Sequence, residues 1–383
     1  MRLKILIFLF VILNASSLCS AQQLSFQSFT STHGLSQNSG YCITQDAQGF
    51  IWMGTQDGLN KFNGNTITTY YKENFNRGTL ADNFITSLLY DSVNNFLWIG
   101  TAAGLCYYNC KTDSFYDAGS CMQEADTLSS LFIRSIVAGR TPFELVVVTL
   151  NEGLFICNTK SHTAKQFFQQ PETKNSTNAA TVWDNEIVAV VNKKLYFVYE
   201  TPKLILDDVS LNEVRKLHIW QNKLWIASIK NGVMVIADKQ HPVIAKFNCS
   251  SNDVGTFITD QDNNLWIGTR TAGIEIIEPE KFNIIHSYST APNQNEWPKK
   301  FTLSLFKDRQ HNIWIGSSGG GFSVNTHTKK EFNLIQKSEI QFGKAAHNMI
   351  LSMYKPDGDL LYMGTQLEGL RIHNLNTGIT QNA

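Results

Sequence analysis

The most enzyme-like string in this 383-residue chain is Gly316-Ser317-Ser318-Gly319-Gly320. It satisfies the G-x-S-x-G spacing of a nucleophile elbow, which requires a strand, a sharp turn and a helix so that the serine hydroxyl stands exposed. No helical pattern follows it, and other copies of the same segment read Gly-Thr-x-x-Gly, so a scaffold turn is expected. Four aspartates, Asp46, Asp91, Asp260 and Asp308, stand shortly before tryptophans. They could be calcium ligands or the Asp-box turns of sialidases. Because they recur along the chain, aspartates that cap their own turns are the simpler reading. The nine histidines form no HxH or HExxH pair, and there is no glycine-rich phosphate loop, so neither a metal nor a cofactor is expected.

Residues suited to binding are a different set. Loops that depart from their own repeat point to Arg270, Trp297, Lys300, Asp57, Asn83, Arg134 and His347 as candidate ligand contacts. Arg270 offers a rigid fork for a carboxylate or a pair of hydroxyls, and Trp297 a surface on which a sugar could stack. Each can equally be read as a solvated loop residue. An exported glycan lyase or hydrolase is the alternative. It would need loop-tip acids such as Asp57, Glu152 and Glu368 to converge within about 10 Å, as a carboxylate pair flanking a glycosidic bond must.

These residues hang on a repeat. An aromatic-Ile-Gly-Thr core recurs at Trp52, Trp98, Trp225, Trp266, Trp314 and Tyr362, with degenerate copies at Val147 and Val188. The mean spacing of about 44 residues is that of a four-stranded propeller blade. In the first copy, strands are predicted over 40–44, 50–55, 59–62 and 66–71, separated by Asp46-Ala47-Gln48-Gly49, Asp57-Gly58 and Asn63-Gly64 turns. Phe50-Ile51-Trp52-Met53 is apolar on both faces, as a sheet covered on both sides must be. Helical periodicity is nearly absent. The fold class is therefore all-β, a β-propeller of four-stranded blades. Eight repeat units are present and seven blades are favoured, over residues 22–340. Residues 341–383 then form an eighth repeat that either closes an eighth blade, with 24–30 as its outer strand, or opens a second propeller.

The ends and the composition add limits. Arg2 and Lys4 precede an apolar run, Ile5 to Leu13, and a small-residue site at Cys19-Ser20-Ala21, which reads as a signal peptide over 1–21. A lipoprotein centred on Cys19 is the weaker alternative, since Ser17-Leu18 is a poor match to the small residues that usually precede a lipidated cysteine. No later apolar run approaches the roughly 18 residues of a membrane span, so an exported soluble chain is expected. Formal charge is zero, becoming about −2 without Arg2 and Lys4, and gives no footprint for nucleic acid. Six cysteines follow the signal. Cys106 and Cys110 could pair, but small residues filling sheets are the plainer account.

Asp46 to Leu59, and the copy from Asp260 to Gly273, resemble the two-component regulator propeller repeat. His33-Gly34-Leu35-Ser36-Gln37-Asn38 is similar to the start of the sensor half of hybrid two-component systems of Bacteroides-type bacteria. That resemblance spans about residues 24 to 375. It implies a periplasmic region of two seven-bladed propellers and a small β-sandwich, followed by a membrane helix, a histidine kinase, a receiver and a helix-turn-helix domain. This sequence ends after eight repeats, so it carries the sensing half of the plan. The implied function is a periplasmic sensor, without chemistry of its own, that binds an oligosaccharide or a partner protein and acts across a homodimer. A protein-binding scaffold is a third reading.

Overall fold

The computed structural model describes residues 26–73, 79–122, 126–168, 177–288, 301–326, 350–356, 358–366, 369–375 and 380–382. The signal peptide expected over 1–21 lies outside them. No helix among the described residues is long and apolar enough to cross a membrane. The described residues form eight four-stranded antiparallel sheets. They fall into two compact units, one within residues 1–327 and one within 328–383.

Seven sheets make up the first unit. Their inner strands are Gly40–Gln45, Ile85–Asp91, Ile133–Ala138, Thr177–Trp183, Val214–Trp220, Val254–Thr259 and Thr302–Lys307. Each packs against the inner strand of the next sheet, and the seventh packs against the first, so the ring closes. The second strands carry the repeat cores, as the sequence predicts: Ile51–Thr55, Phe96–Thr101, Glu144–Thr149, Glu186–Val191, Lys223–Ser228, Leu265–Thr269 and Ile313–Ser317. They are buried along almost their whole length, with Trp52 and Trp98 sealed from solvent. A strand apolar on both faces is stable only between two covering layers, which neighbouring sheets of the ring supply. The tight hairpins Asp184-Asn185 and Gln221-Asn222 have both residues at positive φ, the turn whose twist matches that of the flanking strands.

The recurring aspartates are structural. The Oδ2 atoms of Asp46, Asp260 and Asp308 accept the indole N–H of Trp52, Trp266 and Trp314 at 2.8, 2.9 and 2.8 Å, while their Oδ1 atoms accept turn backbone N–H groups. Asp91 holds Trp98 more loosely, at 3.5 Å. Ser318, the serine at the nucleophile position of the elbow-like string, lies in the turn that joins strand Ile313–Ser317 directly to strand Gly321–Asn325, with no helix after it, and its backbone N–H donates to the Phe301 carbonyl at 2.9 Å; the hydroxyl of the preceding Ser317 donates to the Gly321 carbonyl at 3.3 Å. Thr55, Thr101, Thr149 and Thr269 do the same with their own turn glycines.

The seventh sheet is completed from the far end of the chain. Phe26–Phe29 pairs antiparallel with Gly321–Asn325 as its outer strand. The strand within 24–30 therefore belongs to the seventh repeat, not the eighth. Two glycines shape the seam: a Cβ on Gly316 would lie 2.3 Å from the Gly40 carbonyl oxygen, and one on Gly40 would lie 2.5 Å from the Phe322 ring. Ser304 Oγ donates to that same Gly40 carbonyl at 3.0 Å, and on the other side of the seam the Arg309 guanidinium donates to Gln45 and to the Ala47 carbonyl.

The second unit is one sheet: Ile350–Tyr354, Leu360–Thr365, Gly369–Asn374 and Thr380–Asn382, with Tyr362 on its second strand. A short fourth strand, pairing Arg371 with Asn382, completes the eighth repeat from its own residues.

All six cysteines of the described residues are free thiols, so Cys106 and Cys110 do not pair. Both sit in the core between the first and second sheets. Burial pushes the Cys106 and Cys157 thiols up to about 12 and raises Cys42 further. In native protein, an aromatic disulfide reagent is expected to leave Cys42, Cys106 and Cys157 unmodified until denaturant is added. Rapid native labelling of any of the three would contradict this packing.

Candidate functional site

The seven inner strands share one irregularity. Each has a β-bulge one residue after its first pairing, at Tyr41, Thr86, Arg134, Asn178, Arg215, Gly255 and Leu303. A bulge leaves the extra residue unpaired and re-aims its side chain. Tyr41, Thr86, Arg134, Arg215, Gly255 and Leu303 accordingly line a cavity of about 450 Å³ to which all seven inner strands contribute. That volume is within the range of small-ligand sites.

The next residue of each strand also lines the cavity. Six are small, Cys42, Ser87, Ser135, Ala179, Thr256 and Ser304, and the seventh is Lys216. Arg134, Arg215 and Lys216 thus enter from two sheets, and Arg270 joins them from the turn after Leu265–Thr269. The Arg270 backbone N–H donates to the Asp253 carbonyl at 2.9 Å, which ties this turn to the residue just before the sixth inner strand. The equivalent bond recurs from Ala102 to Phe84, Leu150 to Phe132, Ile229 to Glu213 and Ser318 to Phe301. The second-to-third-strand turns and the starts of the inner strands are therefore on the same end of the ring.

These cations are poorly neutralised. Asp253 Oδ2 is 4.0 Å from an Arg270 terminal nitrogen, and Glu213 is engaged by Lys230 at 2.7 Å. The Arg270 Nε is buried without a hydrogen-bond partner, and its guanidinium carbon sits 5.7 Å from the Phe301 ring centroid. Arg134, Arg215 and Lys216 make no side-chain hydrogen bond or ion pair within 4 Å among the described residues. Crowding by the ring wall and the neighbouring Arg215 draw Arg134 down to about 10, against the pull of Glu213; the same crowding, with Arg270, lowers Arg215 against Glu213 and Asp253, and it lowers Lys216, although the Arg215 and Lys216 side chains stay open to solvent in the cavity. Burial and Lys216 also take His218, hydrogen-bonded to Thr259, down to about 4, so its imidazole is neutral at neutral pH. Among the described residues no three His, Cys, Asp or Glu side chains gather as a metal site.

Residues 34–57 and 250–271 match the family model described as "Two component regulator propeller". These two segments are similar to two component regulator propeller repeats. Both matched copies contain the aspartate that holds the second-strand tryptophan, and the second contains Asp253 and Arg270. A stretch of 64 residues, 17% of this chain and 5% of the relative, is 45% identical to histidine kinase P4 of Formosa agariphila. Among solved structures, the repeats are similar to the extracellular domains of two B. thetaiotaomicron proteins described as hybrid two component systems. The first is 24% identical, with a TM-score of 0.68 over 94% of this chain and 49% of that one; the second is 18% identical, with a TM-score of 0.64 over 92% and 46%. This chain spans about half the length of those domains. Virginiamycin B lyase of Staphylococcus aureus has the same fold at 14% identity, with a TM-score of 0.61 over 79% of this chain and 99% of that one.

Of the seven candidate contacts, the fold brings two, Arg134 and Arg270, to the axial cavity. Asn83 is a loop brace: its carbonyl accepts from Gly58 of the first sheet and its Oδ1 accepts the Lys72 backbone N–H, both at 2.7 Å. Asp57 stands exposed in a turn outside the cavity wall. Trp297, Lys300 and His347 lie outside the described residues. Arg215 and Lys216 escaped the sequence reading because it searched loops, whereas these two occupy a strand. Aligning the inner-strand copies would have shown them, since Arg215-Lys216 stands where other repeats have Thr86-Ser87 or Leu303-Ser304.

Proposed function

We propose that this chain is an exported sensing module of a two-component system. It binds an extracytoplasmic ligand, a glycan in the reading we favour, and relays occupancy to a histidine kinase outside these residues. The observation that carries this reading is the axial cavity of about 450 Å³, where all seven sheets meet and where Arg134, Arg215, Lys216 and Arg270 converge. A ligand seated there touches every sheet, so it is placed to bias any motion that changes their spacing. It does so only through different affinity for the two states. The regulator-propeller match and the likeness to extracellular domains of two-component systems support the assignment.

The test is thermal unfolding of residues 22–383 against a panel of defined oligosaccharides. A ligand at one hundred times its Kd stabilises the native state by about 2.7 kcal/mol. A saturable rise in midpoint without product supports the sensor. Turnover would move the assignment to a glycan lyase or hydrolase, and no shift with any glycan would favour a protein-binding scaffold. The cavity wall argues for binding over catalysis: its described residues present cations, hydroxyls and apolar groups, not the carboxylate pair that glycoside hydrolysis uses.

A further inference from the structure

We propose that the axial cavity is an anion site, and that the ligand it takes carries two or more carboxylate or sulfate groups. This rests on the sensing reading for its biological use but not for its chemistry.

The argument begins with what the fold leaves unsatisfied. The repeat demands a bulge residue and then a small residue in every inner strand, and only the fifth strand breaks the pattern with two adjacent cations, Arg215 and Lys216. Arg134 supplies a third from the bulge position two sheets earlier. In the sixth strand the bulge residue is Gly255, where a Cβ would meet the Thr302 carbonyl oxygen at 3.2 Å, and the cation comes instead from Arg270 in the turn after Leu265–Thr269. Four cations therefore share one cavity, Arg215 and Lys216 exposed to its solvent, while the nearby acids, Asp253 and Glu213, stand at strand starts outside the cavity wall; Asp253 reaches Arg270 only at 4.0 Å and Glu213 already holds Lys230. Like charges gathered in one cavity repel and so oppose folding, less strongly where solvent reaches them, and stability forgone in this way is a common mark of a binding site. An anion with several charged oxygens removes that penalty, and guanidinium groups suit it because each presents paired donors to a carboxylate or sulfate.

The site has a second character. Tyr41, on the cavity wall, packs edge to face on Phe84 at 4.7 Å, and Phe301 lies beside Arg270. An aromatic side chain in a wall of cations matches a ligand that is apolar on one face and anionic at its edge. An acidic sugar has that form.

Isothermal titration calorimetry of residues 22–383 at low salt tests this, with citrate as the smallest polyanion probe and with trigalacturonate beside its neutral methyl ester. Citrate and trigalacturonate are expected to bind, the ester at least tenfold more weakly, and affinity should fall as salt rises. In the double variant Arg215→Gln, Lys216→Gln, affinity for both acids should drop at least tenfold. Because the two side chains make no hydrogen bond or close ion pair and stand among like charges, the ligand-free variant should melt at or above the parent, which guards against misreading a folding defect. Failure of both acids to bind at 10 mM, roughly the weakest affinity of interest here, overturns the proposal, as does binding that the double variant leaves unchanged. Equal binding of acid and ester overturns the anion assignment while leaving the glycan-sensor reading intact.

Discussion

Phe29→Ala is expected to lower the stability of the seven-sheet unit by about 3–5 kcal/mol, the usual cost of emptying a buried aromatic site. Phe29 is the buried residue of the outer strand that completes the seventh sheet. Its ring stacks on Trp314 at 5.8 Å and packs against Phe62 of the first sheet at 4.8 Å. Truncation thus opens a cavity between the two sheets that close the ring, next to the glycine seam formed by Gly40 and Gly316. The measurement is urea unfolding followed by tryptophan fluorescence, with Gln27→Ala, an exposed change on the same strand, expected to stay within about 0.5 kcal/mol of the parent. A loss below about 1 kcal/mol for Phe29→Ala would mean that the strand contributes little to closure.

Asp308→Ala should cost about 3 kcal/mol. The carboxylate, almost sealed from solvent, accepts four hydrogen bonds: from the Gln310 and Asn312 backbone N–H groups at 2.9 and 2.8 Å, the Asn312 amide at 2.9 Å and the Trp314 indole at 2.8 Å. Removing it strands a buried indole N–H and loosens the turn, and an orphaned buried donor costs about 1–3 kcal/mol on its own. Asp308→Asn keeps one oxygen for the backbone but sets an N–H₂ against the indole N–H, so it should recover part of the loss. Chemical denaturation of both variants checks the order parent, asparagine, alanine. A calcium-binding role for these aspartates would instead show as a stability that depends on calcium, which this hydrogen-bond pattern does not anticipate.

The second-strand cores illustrate what could be read early. Trp52, Trp98, Trp225, Trp266, Trp314 and Tyr362 all sit on second strands, and so do the degenerate anchors Val147 and Val188. Local chemistry explains this. A strand apolar on both faces, a capping aspartate before it and a glycine turn after it are short-range features that a few residues specify by themselves.

The axial site was legible only in part, for a corresponding reason. Arg134 and Arg270 stood out as cations near loop positions, but nothing local links them with Arg215 and Lys216, which come from a different sheet in each case or look like an ordinary exposed pair on a strand. Their convergence is a property of ring closure, as is the placing of Phe26–Phe29 against Gly321–Asn325 across nearly the whole chain. The sequence by itself determined the blade, its strands and its turns, because those depend on neighbours a few residues apart. Tertiary structure alone decided which sheet the first strand completes, that seven inner strands enclose one cavity, and that its wall concentrates positive charge, because each depends on contacts between residues tens to hundreds of positions apart.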